Sequence, residues 1–474
     1  MHPSPVHTIP SKGTGPCVVF DPELIRRYGG PAPRYTSYPT ALQFDERFGE
    51  PELRAAAAAA ERGRPLSAYV HIPFCASPCF FCGCTRVITR QWDIAEAYLQ
   101  HLHREIAMNS ELFPEAAGIA QLHFGGGTPT YLKLEQIAHI IGALDAGFGL
   151  LDDESREYSI EIDPRTVSAE TIQGLAGLGF NRLSLGVQDF DPAVQVAVNR
   201  VQTVKDTFDI IDAARRSGFR SVSVDLIYGL PLQTPASFRH TLEQVLAVRP
   251  DRVAAYSYAH LPHQFPGQKQ IRLEDLPSAE VRLELLGETI ETMTRHGYVY
   301  VGMDHFALLD DELVLAQKSG RLQRNFQGYS TFGGCDLVGF GMSAISRIGD
   351  SYSQNAKTLQ SYERKLDGGH LPVQRGVQLD DDDRLRRDVI ERIMCHGLVD
   401  TREIGRVHGI GFADYFAPEL RRLQEFEDDG LVQLHETAIE VTPAGRLLLR
   451  SVASVFDHYL PAAPVTSARH TRVV

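Results

Sequence analysis

At 474 residues the chain is long enough for one large domain and a smaller one, and its 43% hydrophobic and 23% charged content is that of a globular protein. A net charge of −13 excludes a general nucleic-acid binder, which needs a basic surface. No apolar run reaches the roughly eighteen residues of a membrane span, and the opening stretch MHPSPVHTIPSKGTGP lacks the apolar centre of a secretory signal, so we expect a soluble cytoplasmic protein with reduced thiols.

Residues 1–20 are rich in Pro, Ser and Gly and are expected to be mobile at their start. Residues 34–40 (RYTSYPT) are too aromatic for a linker: they form either a strap packed on the main domain or a segment lying across a site. Residues 55–60 are an unbroken alanine tract, which helix propensity makes a helix. The apolar run Leu66–Ile72 has strand character. It opens a stretch, residues 69–90 (YVHIPFCASPCFFCGCTRVITR), that holds four of the seven cysteines: Cys75, Cys79, Cys82 and Cys84. The first three, spaced C-x3-C-x2-C, suit three corners of a cubane iron–sulfur cluster, because soft thiolates are the ligands such clusters take. The fourth iron is then free to bind something else. A structural zinc site is the alternative, but zinc favours paired C-x2-C clips and only one packed run is present. The remaining Cys17, Cys335 and Cys395 are scattered and read as small buried or incidental thiols.

From Leu66 to about Val301 strand and helix patterns alternate. Further strand-like runs fall at residues 121–124, 159–162, 182–186, 222–226 and 252–257. Between them Val204, Phe208 and Ile211 recur at helical spacing, with Gly218 placed to stop the turn. Thr234 and Pro235 cap and open another helix, whose face carries Phe238, Leu242 and Leu246. Repeated β–α units force parallel strands with right-handed crossovers. Six such units suit an incomplete (β/α) barrel; a doubly wound open sheet fits the periodicity equally. In either, ligands gather at the C-terminal ends of the strands. There lie Cys75, the glycine turn 125–130 (GGGTPT), Glu161, Gln188 and Asp225. Missing Cβ atoms let backbone amides approach a ligand, and carboxylates suit ribose hydroxyls or an ammonium group. Each feature taken singly is also compatible with an ordinary tight turn or cap.

Near Asp380 the character changes. The acidic run 380–383 opens a helix through about Cys395, where negative charge favours a helix N-terminus. Two helices, short strands near residues 431–434 and 439–441, and a helix from Pro443 follow, in a winged-helix-like order. Residues 381–474 hold 12 Arg, no Lys and 16 acidic residues, so DNA binding is not expected.

The cysteine run is the signature of the radical S-adenosylmethionine (radical SAM) enzymes. Its full form, Y-V-H-I-P-F-C-x3-C-x-F-C-G-C, resembles the oxygen-independent coproporphyrinogen III dehydrogenases. Cys84 sharpens that resemblance, because the related haem-chaperone branch typically lacks a fourth cysteine. Residues 34–40, the glycine turn, and residues 258–262 (YAHLP), 302–306 (GMDHF), 325–329 (NFQGY) and 339–346 (GFGMSAIS) are also similar to the family's motifs.

The resemblance implies an α/β fold: an incomplete (β/α)6 radical SAM barrel at residues 49–379, preceded by a segment, residues 1–48, lying over the active site. A small, mostly helical, winged-helix-like domain at residues 380–474 would cover the barrel mouth. It further implies a [4Fe-4S] cluster on Cys75, Cys79 and Cys82 and two S-adenosylmethionine molecules. Tyr69, Gly126, Glu161 and Ile345 match the positions for one molecule, and Phe81, Gly127, Thr128, Gln188, Arg200, Asp225 and Ala259 those for the other. Cys84 is not expected to ligate the cluster and is implied to take part in turnover as a catalytic residue. The implied reaction removes hydrogen from a propionate β-carbon of coproporphyrinogen III. Loss of CO2 and one electron gives a vinyl group, twice, yielding protoporphyrinogen IX for haem. The expected partners are that substrate and a low-potential electron donor such as a flavodoxin or ferredoxin, with no nucleic acid and no membrane, and a monomer is expected. A substrate with four propionates needs local cations in an acidic protein. Arg34, Arg86, Arg90 and Arg324 are candidates beside family-like motifs; each is alternatively an arginine in an ordinary ion pair. A haem-binding chaperone and a radical enzyme acting on another tetrapyrrole are the competing readings, and Cys84 with residues 34–40 favours the dehydrogenase.

Overall fold

The structure, a computed structural model, describes residues 7–9 and 18–460; Cys17 and the start of the chain expected to be mobile lie outside them. Leu66–Ile72 (β1) shows how the sequence builds the sheet. Leu66, Ala68, Val70 and Ile72 are buried in the main core, while Ser67, Tyr69 and His71 alternate with them. Period-2 alternation sends the two sets to opposite faces. The same division recurs in Ile119–Gly126 (β2), Glu157–Ile162 (β3), Arg182–Gln188 (β4), Ser221–Tyr228 (β5) and Arg252–Ser257 (β6). Ile160 and Ile162 join the core while Ser159 and Glu161 do not; Val224 and Leu226 join it while Asp225 does not.

The apolar face is covered by the helices that follow the six strands: Trp92–Ser110 (α1), Leu134–Phe148 (α2), Ala169–Gly177 (α3), Val204–Arg216 (α4), Pro235–Ala247 (α5) and Ala279–Arg295 (α6). Their ends follow local chemistry. Thr203 and Thr234 accept backbone N–H groups at the starts of α4 and α5, Pro235 opens α5, and Gly218 at φ +85° follows α4. Phe238 and Leu242 are fully buried, each contributing about 1.5–3 kcal/mol of burial free energy.

After β6 come Tyr298–Gly302 (β7), His305–Leu308 (β8), Asp336–Phe340 (β9), Ile345–Ile348 (β10), Ser351–Asn355 (β11) and Val373–Gln378 (β12). One twelve-stranded sheet runs β7–β8–β6–β5–β4–β3–β2–β1–β9–β10–β11–β12. Strands β6 to β1 are parallel and in consecutive order, and β9 extends the parallel run beside β1. The two flanks are antiparallel. The polar faces of β1–β6 therefore form one continuous surface.

Asp381–His396 (α7) begins on Asp380, whose carboxylate accepts the Asp383 N–H at 2.8 Å, and ends on Gly397 in the left-handed region. The acidic run is thus a helix cap. Helices Thr401–His408, Phe412–Tyr415 and Ala417–Asp428 follow. A small antiparallel sheet then pairs Leu398–Asp400 and Val432–Leu434 with Ala438–Val441. The helix expected from Pro443 starts later: a 3-10 turn, Gly445–Leu448, precedes Leu449–Ser454. Residues 34–40 are built into this second core, where Tyr35 and Tyr38 pack with Val389, Ile393, Phe416 and Phe456, and Tyr35 Oη donates to Asp457 at 3.0 Å. Among the described residues no helix is long and apolar enough to cross a membrane.

One buried carboxylate fastens α1 to the β9–β11 edge. Glu105, 1% exposed, accepts from Tyr362 Oη at 2.6 Å, the Gly341 N–H at 2.7 Å and Asn355 Nδ2 at 2.6 Å. Burial nevertheless pushes it up to about 7. A carboxyl whose folded pKa exceeds its unfolded value binds more protons when folded, so stability falls as pH rises from the unfolded pKa through the folded one. Between pH 4.5 and 7.5 the denaturant midpoint of wild type should therefore fall relative to that of E105Q. The variant lacks the wild type's loss of about 3 kcal/mol, and parallel pH profiles would refute this.

Candidate active site

The site begins where β1 stops. The β1–β2 register sets Ile72 against Gly126 and continues past both strands: Gly127 N donates to Ile72 O at 2.8 Å and Thr128 N to Phe74 O at 2.9 Å. On the other side Val87 N donates to Pro73 O at 2.7 Å and Thr89 N to Cys75 O at 3.0 Å, so the chain on either side of the cysteine loop is hydrogen-bonded into place. The glycines are needed for this contact. A Cβ on Gly127 would sit 2.6 Å from Pro73 O, and one on Gly126, at φ +116°, 2.7 Å from the His71 ring. The missing side chains thus make room for the protein's own close contacts, the tight-turn alternative that the sequence left open beside an approaching ligand.

Farther round the loop, Phe80 N donates to Val198 O at 2.9 Å and Asn199 Nδ2 to Pro78 O at 2.7 Å. Arg86 donates to Cys82 O at 2.7 Å and Cys79 O at 3.3 Å. Arg86 is therefore engaged in holding the loop, which corrects its candidacy as a substrate cation. Arg90 is exposed and donates weakly to Ala76 O at 3.4 Å. Arg34 is ion-paired with Asp304 at 2.9 Å, and Arg324 is buried.

The thiols face polar partners. Cys75 Sγ lies 3.3 Å from Thr128 Oγ1, and burial pushes its thiol up to about 11. Cys79 Sγ accepts from Arg200 Nη1 at 3.4 Å and Arg165 Nη2 at 3.5 Å. A hydrogen bond from the Cys84 thiol, then Arg86 and Arg200, hold Cys82 well below the usual thiol range, and the same bond pushes Cys84 up. Neighbouring guanidiniums favour the thiolate, the form that binds metal. Among the described residues no three His, Cys, Asp or Glu side chains group as ligands of a single ion. A cubane cluster does not ask for that, since each thiolate binds a different iron. Three cysteines on one anchored loop with cationic neighbours fit such a cluster.

The polar sheet face continues from the loop. Tyr69 stacks on His123 at 5.8 Å between centroids, and Tyr69 Oη lies 3.0 Å from His71 Nδ1. His71 Nε2 lies 3.0 Å from Thr85 O; a carbonyl only accepts, so Nε2 carries the proton and Nδ1 accepts from Tyr69. Glu161 accepts the Gly126 N–H at 3.3 Å and lies 3.2 Å from His123 Nε2. Asp225 accepts from Ser184 Oγ at 3.2 Å; burial, then the charge of Glu161, push it up to about 7. Gln188 sits at φ +66° where the β4–β5 register shifts. Arg200 is buried, 3.1 Å from Asp163, and donates to Gly186 O. Phe81 O and Ala259 O accept from the same Gln268 Nε2, at 2.9 and 3.1 Å, joining the cysteine loop to the segment after β6. Ile345 opens β10, two strands from β1.

Sequence reasoning did not single out Arg165, His71, His123 or Gln268. Arg165 directly follows Asp163-Pro164 at the end of β3, and its position was the only signal it carried. G127A should displace the Pro73–Phe74 backbone, costing about 1–3 kcal/mol of stability. Iron and labile sulfide bound after anaerobic reconstitution should fall with it; full loading at unchanged stability would contradict the close contact.

Comparison with known proteins places this geometry. Residues 69–245 match the radical SAM superfamily and residues 379–448 the HemN C-terminal domain. The oxygen-independent coproporphyrinogen III oxidase of Pseudomonas aeruginosa is 49% identical over 456 residues, 96% of this chain and 99% of that protein. The Escherichia coli K12 oxidase of the same name is 48% identical over 442 residues, 93% and 96% of the two chains. The solved structure of E. coli coproporphyrinogen III oxidase (HemN), a radical SAM enzyme, aligns with a TM-score of 0.89 at 47% identity, covering 94% of this chain and 100% of that one. Similarity of that extent, carried by the cysteine loop and the small C-terminal region together, makes this chain a member of the oxygen-independent coproporphyrinogen III oxidase family.

Proposed function

We propose that this chain catalyses the oxygen-independent oxidative decarboxylation of coproporphyrinogen III to protoporphyrinogen IX in haem biosynthesis, with a [4Fe-4S] cluster and S-adenosylmethionine. The observation that carries this is the anchored loop of Cys75, Cys79 and Cys82 at the end of β1, beside the Gly126–Thr128 turn, in a chain related to these oxidases over nearly its full length. Once bound, cluster and S-adenosylmethionine supply one-electron, hydrogen-atom chemistry that acid–base side chains lack.

The chain's own residues bind, orient and exclude water. Cys75, Cys79 and Cys82 hold the cluster, and Arg165 and Arg200 offset thiolate charge at Cys79. Tyr69, Gly126, Glu161 and Ile345 line one S-adenosylmethionine, and Phe81, Gly127, Thr128, Gln188, Arg200, Asp225 and Ala259 the second. Asp225 and Glu161 are the acceptors for hydroxyl or ammonium groups. Cys84, exposed and just outside the ligand set, acts in turnover. The six parallel strands are read as an incomplete (β/α)6 barrel within residues 49–379. Of the segment 1–48 the described residues 18–48 lie over its mouth, and of 380–474 the described residues 380–460 form a winged-helix-like cover; the three-stranded sheet of Leu398–Asp400, Val432–Leu434 and Ala438–Val441 supports that reading. A low-potential flavodoxin or ferredoxin is the electron donor, and the enzyme works as a cytoplasmic monomer.

Anaerobic incubation of reconstituted protein with coproporphyrinogen III, reductant and S-adenosylmethionine should yield the divinyl product; tight haem binding without turnover would instead point to a chaperone. C75A, C79A and C82A should each abolish both the iron–sulfur absorbance and product, whereas C84A keeps the absorbance and loses turnover. Asp225 binds as the carboxylate, so with its proton held up to about 7, S-adenosylmethionine affinity should rise about tenfold from pH 6 to 8. Calorimetry on D225N should show that rise gone, and an unchanged profile would remove Asp225 from the site.

A further inference from the structure

An acidic protein that binds a four-carboxylate substrate must present cations somewhere inside, and one arginine stands out by what it lacks. Arg324 is 6% exposed, on the hairpin strand Gln323–Asn325 just before residues 325–329 (NFQGY). A guanidinium carries five N–H donors. Among the described residues Arg324 uses one hydrogen bond, a long 3.4 Å donation from Nε to Arg34 O. No described carboxylate pairs with it, and Nη1 is buried with no acceptor. The face of Tyr329 lies 4.8 Å from its Cζ and offsets part of its charge. Leaving a buried cation without a counter-charge costs several kcal/mol, so folded proteins rarely keep one without use.

The surroundings say what is missing. Arg34, beside it, already has Asp304, and its guanidinium lies 5.7 Å from the ring of Tyr256. Tyr256 lies on β6 on the same sheet face as Asp225 of β5, two residues along from Ala254, which pairs with Asp225. His305 packs edge-on against both Tyr256 and Tyr329, at 5.8 and 5.4 Å, and its Nδ1 lies 2.7 Å from Met303 O. Desolvation and the charge of Arg324 hold the His305 imidazole well below its usual range, so it adds no further positive charge and, being an imidazole, offers Arg324 no anion. Arg450, also buried, donates to Ala32 O and Pro33 O just before Arg34. The aromatic side chains give an apolar wall, the arginines an excess of positive charge, and the place adjoins the polar sheet face.

We propose that Arg324 is a carboxylate-binding residue that takes one of the substrate's propionates through the fork of its guanidinium, with Arg34 beside it. The assignment rests on the functional reading above and adds the anchor that holds the tetrapyrrole against that face. A planar fork matches a carboxylate with two parallel charge-assisted bonds. Nη1 is buried in the structure, so binding through both arms of the guanidinium fork requires the groups around it to give way.

The test uses reconstituted full-length wild type, R324Q and R324K. R324Q should raise the KM for coproporphyrinogen III at least about tenfold with kcat within about twofold, and R324K should recover part of the loss. Iron–sulfur absorbance and S-adenosylmethionine affinity should not move. Without substrate, R324Q should melt no lower than wild type, because it removes an unpaired buried charge. Unchanged KM, a lower melting temperature or failure to fold would each overturn the assignment, the last two by showing a structural role. If wild type forms no vinyl product, the functional reading fails. Binding of fluorescent coproporphyrin III to wild type and R324Q then still decides the carboxylate site: weaker binding by R324Q supports it, equal binding overturns it.

Discussion

Two backbone hydrogen bonds, from Gly127 N to Ile72 O and from Thr128 N to Phe74 O, carry the sheet's order beyond its last paired residues into the cysteine loop. Each contributes only about 0.5–1.5 kcal/mol net. Their value is positional: they extend the β1–β2 pairing, which is itself locked in register by the buried Val70 and Phe124 pair. Cys75 thereby inherits the rigidity of a strand although it lies outside the main sheet. Cys79 and Cys82 are farther along and need other supports. Asn199 and Arg86 provide them by taking loop carbonyls that no strand satisfies.

Charge around the loop follows from the same economy. Arg200 and Arg165 share Asp163 and both point an N–H at Cys79. A buried ion pair does little for stability on its own, because desolvation offsets most of the attraction. Here the carboxylate keeps two guanidiniums in place next to a thiol, each within hydrogen-bond reach of its sulfur. On the sheet face beyond, Asp225 has no basic hydrogen-bond partner among the described residues and is pushed towards its neutral form. The thiol end of the site thus carries guanidiniums, and the sheet face beyond it a carboxyl at Asp225 that tends to keep its proton.

The strands and helices of the β–α region were legible because their faces differ: Leu66–Ile72 and Arg252–Ser257 fall where the apolar pattern put them. Strands β7 to β12 were not. Ser351–Asn355 (SYSQN) is entirely buried yet polar, and it is held by pairing on both sides instead of by an apolar stripe. Leu398–Asp400 is too short to show a period. In the site, the cysteine spacing marked the candidate ligands, and the strand ends marked Glu161, Gln188 and Asp225, which the fold places on one sheet face or its edge. What stayed hidden were side chains whose role depends on partners distant in sequence. His123 meets Tyr69, Gln268 meets Phe81, and Arg86 turns back onto its own loop. An arginine beside a motif has many possible partners, and sequence carries no distance between them.

Residues 34–40 resolve an ambiguity in a way that ties the two cores together. Tyr35 and Tyr38 are buried among residues of α7 and the chain's last helix, while Arg34, one residue earlier, pairs with Asp304 at the turn between β7 and β8. Arg450 reaches from that last helix to the carbonyls of Ala32 and Pro33, which fixes the segment's entry. A loose strap would cost conformational entropy for little gain. Buried tyrosines reverse that balance by placing large apolar area where the C-terminal region otherwise has a gap. The consequence is mechanical: moving Arg34 disturbs contacts to the sheet edge and to the C-terminal core at once. The short stretch thus ties the turn between β7 and β8 to the C-terminal core and links parts of the chain more than four hundred residues apart.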